Sequence, residues 1–224
     1  MGQDLNLIFT ELQNKIKKSK IEERKKAKLL QELLLLNNIY NDLEVDPIHE
    51  DIYENLVKNG KELLKEKSLS NTKKTDYFLR YCHAAFYDFN DNLKPLNKII
   101  RSYLVTCIMF FALSPQYFSF ILPLIFILPI FSGLQGMKKR TRNGLILALS
   151  VLPIAMLTAM AWLKNAYLAS ADFNSFFLSI SQQYNLALAT AKNLTLICIF
   201  LSFFLLFSTI YTFIIALKHR RMFV

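Results

Sequence analysis

Leu5, Ile8, Leu12 and Ile16 recur every three or four residues, the spacing of one helix face. A polar stretch, Lys17–Lys28, follows. Leu29, Leu30, Leu33, Leu34, Leu36 and Ile39 then form a broad apolar face. One helix or two fits residues 4–44, with Ser19 as the candidate break. Asp46-Pro47 reads as a stop and restart, with Asp46 as N-cap and Pro47 at the first helical position. Ile48, Ile52, Leu56 and Leu63 continue the periodicity, and Asn59-Gly60 is a candidate end or bend. Thr72 is a candidate cap for another helix, on which Phe78, Tyr81, Cys82, Ala85, Phe86 and Phe89 share one face. Strand-like alternation is missing, so residues 1–93 read as a small antiparallel helical bundle.

Beyond this region the alternation of apolar and charged positions stops. Ser102 to Met137 contains no charged residue. As a single helix that run would be about 54 Å long, against a hydrocarbon core of about 30 Å. Ser114-Pro115-Gln116 divides it into two spans, near 96–114 and 117–136, with Lys98 and Arg101 snorkelling from the first. Uncharged runs near 144–163 and 194–217 give two more. The fold class is therefore all-α: an N-terminal cytoplasmic helical bundle followed by a four-helix transmembrane domain over residues 94–224. Residues 165–193 form an external loop, in which Phe173, Phe176, Phe177, Ile180, Tyr184 and Leu188 share a helical face and predict an interfacial helix.

Charge sets the orientation. Residues 1–101 carry 18 Lys/Arg and 16 Asp/Glu, whereas residues 102–224 carry 9 Lys/Arg and one acid, Asp172. This split excludes a single soluble globular domain, a disordered chain and a disulfide-rich module. With four spans, Lys94/Lys98/Arg101, Lys138–Arg142 and Lys218–Arg221 share one side, and only Lys164 and Lys192 remain on the other. The positive-inside rule puts the richer side, and both termini, in the cytoplasm. Tyr103, Tyr117, Trp162 and Tyr211 lie near span ends, as interfacial aromatics do. No secretory leader is visible in residues 1–30, which lack an apolar core after their lysines.

Candidate chemistry is sparse. Cys82, Cys107 and Cys198 are odd in number and form no C-x-x-C pair. Cys82 and His83 are adjacent, but helix neighbours point about 100° apart, which does not suit a nucleophile and its base. No metal-ligand set, cofactor motif or nucleic-acid motif can be assembled. Pro123, Pro129 and Pro153 are possible helix breaks that would free the carbonyls of Ser119, Ile125 and Leu149. Transporters build midplane sites from broken helices, yet the apolar cores hold no ionisable residue of the kind that marks ion pathways. Gly133 and Gly136 are spaced G-x-x-G, which does not indicate the G-x-x-x-G packing motif.

Two surfaces read as contact candidates. Lys15, Lys17, Lys18, Arg24, Lys25 and Lys26, with Lys138, Lys139 and Arg140, suit anionic inner-leaflet lipid. A solvated helix face with local ion pairs is the alternative. Phe78, Tyr81, Phe86 and Phe89 suit a protein partner or the membrane surface, or else packing within the bundle.

The runs Lys73-Lys74-Thr75-Asp76-Tyr77-Phe78-Leu79-Arg80-Tyr81-Cys82-His83-Ala84, Ser114-Pro115-Gln116-Tyr117-Phe118 and Leu134-Gln135-Gly136-Met137-Lys138-Lys139-Arg140 resemble a group of small bacterial multi-pass membrane proteins of unknown function. Some of that group bear a glycosidase-like name. The resemblance implies a bacterial plasma membrane. Glycoside hydrolysis ordinarily needs two facing carboxylates, and the membrane half offers only Asp172. The expected function is a non-enzymatic anchor, scaffold or accessory subunit whose cytoplasmic helices bind a protein partner, a second copy or anionic lipid. A small transporter using proline-broken spans is the alternative.

Overall fold

The computed structural model describes residues 3–41, 43, 45–66, 72–118 and 121–224. Its elements are helical: α1 (Gln3–Lys18), α2 (Glu23–Asn41), α3 (Glu50–Lys65), α4 (Thr72–Phe89), α5 (Lys94–Leu113), α6 (Pro115–Phe118), α7 (Ile121–Lys138), α8 (Arg142–Ala169), α9 (Phe173–Gln183) and α10 (Leu188–Lys218). Short 3-10 turns occupy Pro47–His49 and Arg220–Met222. The chain divides into two compact units. One holds Met1–Lys94 together with Arg221–Val224, and the other holds Pro95–Arg220.

In the first unit the apolar periodicity becomes a shared core. α1 contributes Leu5, Ile8, Phe9, Leu12 and Ile16; α2 contributes Leu29, Leu33, Leu36 and Tyr40. α3 adds Tyr53, Leu56 and Leu63, and α4 adds Phe78, Leu79, Cys82, Ala85 and Phe89. Each large apolar side chain removed from water contributes about 1.5–3 kcal/mol. Gln3–Lys18 and Glu23–Asn41 are two helices rather than one. Ser19 closes α1, its amide and hydroxyl both donating to the Ile16 carbonyl at 3.1 and 2.6 Å. Asp46 caps the 3-10 turn by accepting from the Ile48 amide at 3.0 Å.

Gly60 neither ends nor bends α3, which runs on to Lys65. It is a packing residue. A Cβ there would lie 2.8 Å from Ile8 Cγ2 and 3.1 Å from Phe78 Cζ, so α1 and α4 approach α3 through the missing side chain.

In the second unit α8 packs on both α7 and α10, and α9 lies against α10. Three helical segments are long and apolar enough to cross a membrane: Lys94–Tyr117, Arg142–Ala169 and Leu188–Lys218. Pro123–Lys138 is a shorter apolar helix. α8 and α10 extend well past the expected spans. At 28 and 31 residues they reach about 42 and 46 Å. The expected external loop is thereby reduced to two short connections around α9.

Burial runs opposite to a water-soluble helix. The buried positions of α8 include Gly144, Ala148, Ala155, Thr158 and Ala159, and those of α10 include Ala191, Thr195, Ser202, Thr209, Thr212 and Ala216. Large side chains such as Phe200, Phe203, Phe207 and Ile214 are exposed. Small residues turned inward and bulky ones outward are what helix packing in lipid favours.

Two sequence expectations need correction here. Gly133 and Gly136 do mark a close helix pair: a Cβ on Gly133 would lie 2.9 Å from the Ala148 amide nitrogen, and Gly136 abuts the Gly144 backbone. The G-x-x-x-G rule misses this because α7 and α8 are joined by a tight turn, which brings the residues nearest the turn closest together. Nor do the prolines break helices. Pro123 is the third residue of α7, where its missing N–H would have no intrahelical partner anyway. α7 and α8 run unbroken through Pro129 and Pro153. Ser119, one of the carbonyls expected to be freed, lies outside the described residues.

Candidate functional site

α2 and α4 pack side by side in the first unit. Across their mutual face one acid meets one imidazole. Glu32 lies within the leucine-rich stretch of α2, and His83 follows core Cys82 on α4. His83 is 5% exposed. Its Nε2 lies 2.7 Å from Glu32 Oε2. The other carboxylate oxygen, Glu32 Oε1, lies 3.4 Å from a guanidinium nitrogen of Arg221, in the segment that follows α10. One carboxylate therefore joins two helices and a segment remote in sequence.

Burial pushes the His83 pKa below its ordinary value; the hydrogen bond to Glu32 opposes that shift, and Arg221 adds to it. The ring is neutral near pH 7. A carboxylate only accepts, so the neutral ring carries its proton on Nε2 and donates it to Glu32. At neutral pH the carboxylate's charge is thus matched by Arg221 rather than by the histidine.

The site does not pair Cys82 with His83. Cys82 is 0% exposed, and burial pushes its thiol pKa well above the usual range. Its carbonyl accepts from the Tyr40 hydroxyl at 2.7 Å. A groove of about 410 Å³ between α3 and α4 is lined by Asn59, Glu62, Glu66, Lys73, Tyr77 and Tyr81 among others, and not by Cys82 or His83. Among the described residues, no three His, Cys, Asp or Glu side chains converge as metal ligands would.

The contact candidates separate by environment. Phe78 and Phe89 belong to the core. Phe78 packs 6.4 Å from the Phe9 ring, and Phe89 lies edge-on to Tyr40 at 6.1 Å. Tyr81 and Phe86 are partly buried against the same core. Of the two readings of the aromatic face of α4, Phe78 and Phe89 take the packing one, within their own unit.

Lys15 is also occupied. Its ammonium donates to the Leu64 carbonyl at 2.7 Å and to the Glu66 carbonyl, satisfying acceptors at the end of α3. Lys17, Lys18, Arg24 and Lys25 are exposed, and Lys26 is half-buried. Lys25 pairs with Glu22 at 3.0 Å and Lys26 with Glu23 at 3.3 Å. Lys138 and Lys139 are exposed at the α7–α8 turn, and Arg140 is half-buried there with a left-handed φ of 56°. Pro153 is exposed on α8, facing away from its packed side.

Several polar groups of the second unit bond between its own helices. Thr106 of α5 lies 2.6 Å from the Ser208 hydroxyl and 3.3 Å from that of Thr212, both on α10. Trp162 Nε1 donates to the Leu113 carbonyl at 3.0 Å, and Asn165 donates to the Tyr117 hydroxyl at 2.9 Å. Tyr103, expected as an interfacial aromatic, is buried instead. Asp172, the single acid of this half, is the N-cap of α9. It accepts from the Asn174 and Ser175 amides at 3.1 and 3.2 Å, and its hydrogen bonds with Ser175 hold the carboxyl below its ordinary pKa.

Sequence reasoning missed Glu32 as the partner of both His83 and Arg221. The available signal was each residue's isolation: an acid inside a leucine run and a histidine inside an apolar face both demand a partner. No family model, curated protein or solved structure matches the chain.

Proposed function

We propose that the protein is a four-span membrane anchor for its own N-terminal helical unit, which presents an exposed basic surface to anionic lipid on the cytoplasmic side of a bacterial plasma membrane. The observation that carries this reading is the path of the chain. It leaves the N-terminal unit at Lys94 and returns to it at Arg221. A chain that starts and ends on one side makes an even number of crossings. Three segments are long and apolar enough to cross by length and composition, so the parity favours α7 as a fourth. At 18 residues it is about 27 Å long, close to the hydrocarbon thickness. This order keeps the exposed Lys138 and Lys139 on the same side as Lys17, Lys18, Arg24 and Lys25, in line with the positive-inside rule.

The function is non-enzymatic in this reading. His83 and Cys82 are enclosed, and the polar groups of the membrane unit hold its own helices together. Unbroken helices at Pro129 and Pro153 remove the reason for favouring a transporter.

Hydrogen exchange of the full chain in nanodiscs tests the lipid contact. In discs with anionic lipid, amides of residues 17–28 exchange several-fold more slowly than in zwitterionic discs, and salt removes the difference. Equal exchange in both discs, with a second protein co-purifying in fixed ratio, would replace lipid by a protein partner.

A further inference from the structure

We infer that the N-terminal unit carries, at Glu32, a docking site for the chain's own segment Arg221-Met222-Phe223, and that this segment is a strap closing the chain back onto that unit. Three observations carry the inference. The segment Arg221–Val224 clusters with the N-terminal unit rather than with the helix it follows. Met222 and Phe223 are 0% and 1% exposed. Arg221 reaches the Glu32 carboxylate that His83 already engages.

The chemistry explains why this segment fits. α10 ends at Lys218, and its C-cap residue His219 donates its amide to the Ile215 carbonyl at 3.1 Å. The 3-10 turn Arg220–Met222 then redirects the chain. Across the turn the burial changes: Arg220 and Arg221 are exposed, whereas Met222 and Phe223 are enclosed. A basic tail serving only as a membrane anchor would leave both apolar side chains free. Glu32 supplies the charge recognition. Neutral His83 orients the carboxylate by donating to it but leaves its charge unmatched, and Arg221 matches it. The site therefore recognises a guanidinium followed by two apolar side chains. Release of the strap would expose a partly buried carboxylate.

Hydrogen exchange of the full chain in nanodiscs reads the strap directly. In the parent protein, the amides of Met222 and Phe223 are protected. Arg221→Glu places two carboxylates together and speeds their exchange by about tenfold or more, while Arg221→Lys keeps most of the protection. Arg220→Glu, next to the residue that pairs with Glu32, leaves the rate unchanged. Core amides of Leu33 and Phe78 report whether the unit stays folded. If Arg221→Glu unfolds it, Glu32→Gln carries the test, with faster exchange confined to the strap. Free exchange of Met222 and Phe223 in the parent, or equal effects of the changes at positions 220 and 221, would overturn the inference. Either result leaves the lipid dependence of residues 17–28 to be judged on its own data.

Discussion

Glu32, His83 and Tyr40 show how single polar residues are accommodated inside an apolar helical unit. Each has a partner: His83 donates to Glu32, and Tyr40 donates to the Cys82 carbonyl. Tyr40→Phe keeps the ring packing and removes one buried hydrogen bond, so it should cost about 1 kcal/mol in thermal or denaturant unfolding. His83 gives a pH signature. Its folded pKa lies below the unfolded value, which is about 6.5. Above that pH the ring is neutral in both states and contributes no slope. As the pH falls below it, the unfolded chain binds a proton that the folded chain does not, so stability declines until the folded pKa is reached. His83→Gln retains a donor for Glu32 and should flatten this decline relative to the parent; identical pH profiles would contradict the assignment. Composition and spacing could not reveal the partnership, because Glu32 and Arg221 lie at opposite ends of the sequence.

Helices were legible where their apolar period was strong, as in α1 and α4, and where a cap was explicit, as at Asp46. Their packing was not, for a physical reason. In α8 and α10 much of the inward face is built from Gly, Ala, Ser and Thr, so a search for apolar stripes or ionisable residues finds the outward face instead. Gly60 and Gly136 were similarly mistaken for flexible or neutral positions, although both mark close approach of helices. Gly136→Val should separate α7 from α8 at the Gly144 contact and cost about 1–3 kcal/mol, as overpacking does. Ser132→Val, at an exposed position of α7, should be nearly silent in the same thermal-stability assay in detergent. Equal effects would refute the hairpin contact. The turn itself carries a second test. The Arg140 amide donates to Met137 O at 3.0 Å and the Thr141 amide to Gly136 O at 2.9 Å, a C-terminal cap with Arg140 at the left-handed position. Arg140→Val should be less stable than Arg140→Gly by about 1–2 kcal/mol.

For the whole molecule, the break near Ser114 and the two long apolar helices that follow the α7–α8 turn could be read from charge and length alone. The return of the chain to its starting unit could not, since the segment from Arg221 reads only as a basic end to a span. In the four-span reading proposed above, that return requires an even number of crossings. The most direct test places single cysteines at exposed Asn38, Lys139 and Asn174 and labels each from one side of the membrane with an impermeant thiol reagent, with the parent chain as background. The account predicts that Asn38→Cys and Lys139→Cys are labelled from the same side and Asn174→Cys from the other. Labelling of Asn38→Cys and Lys139→Cys from opposite sides would contradict it.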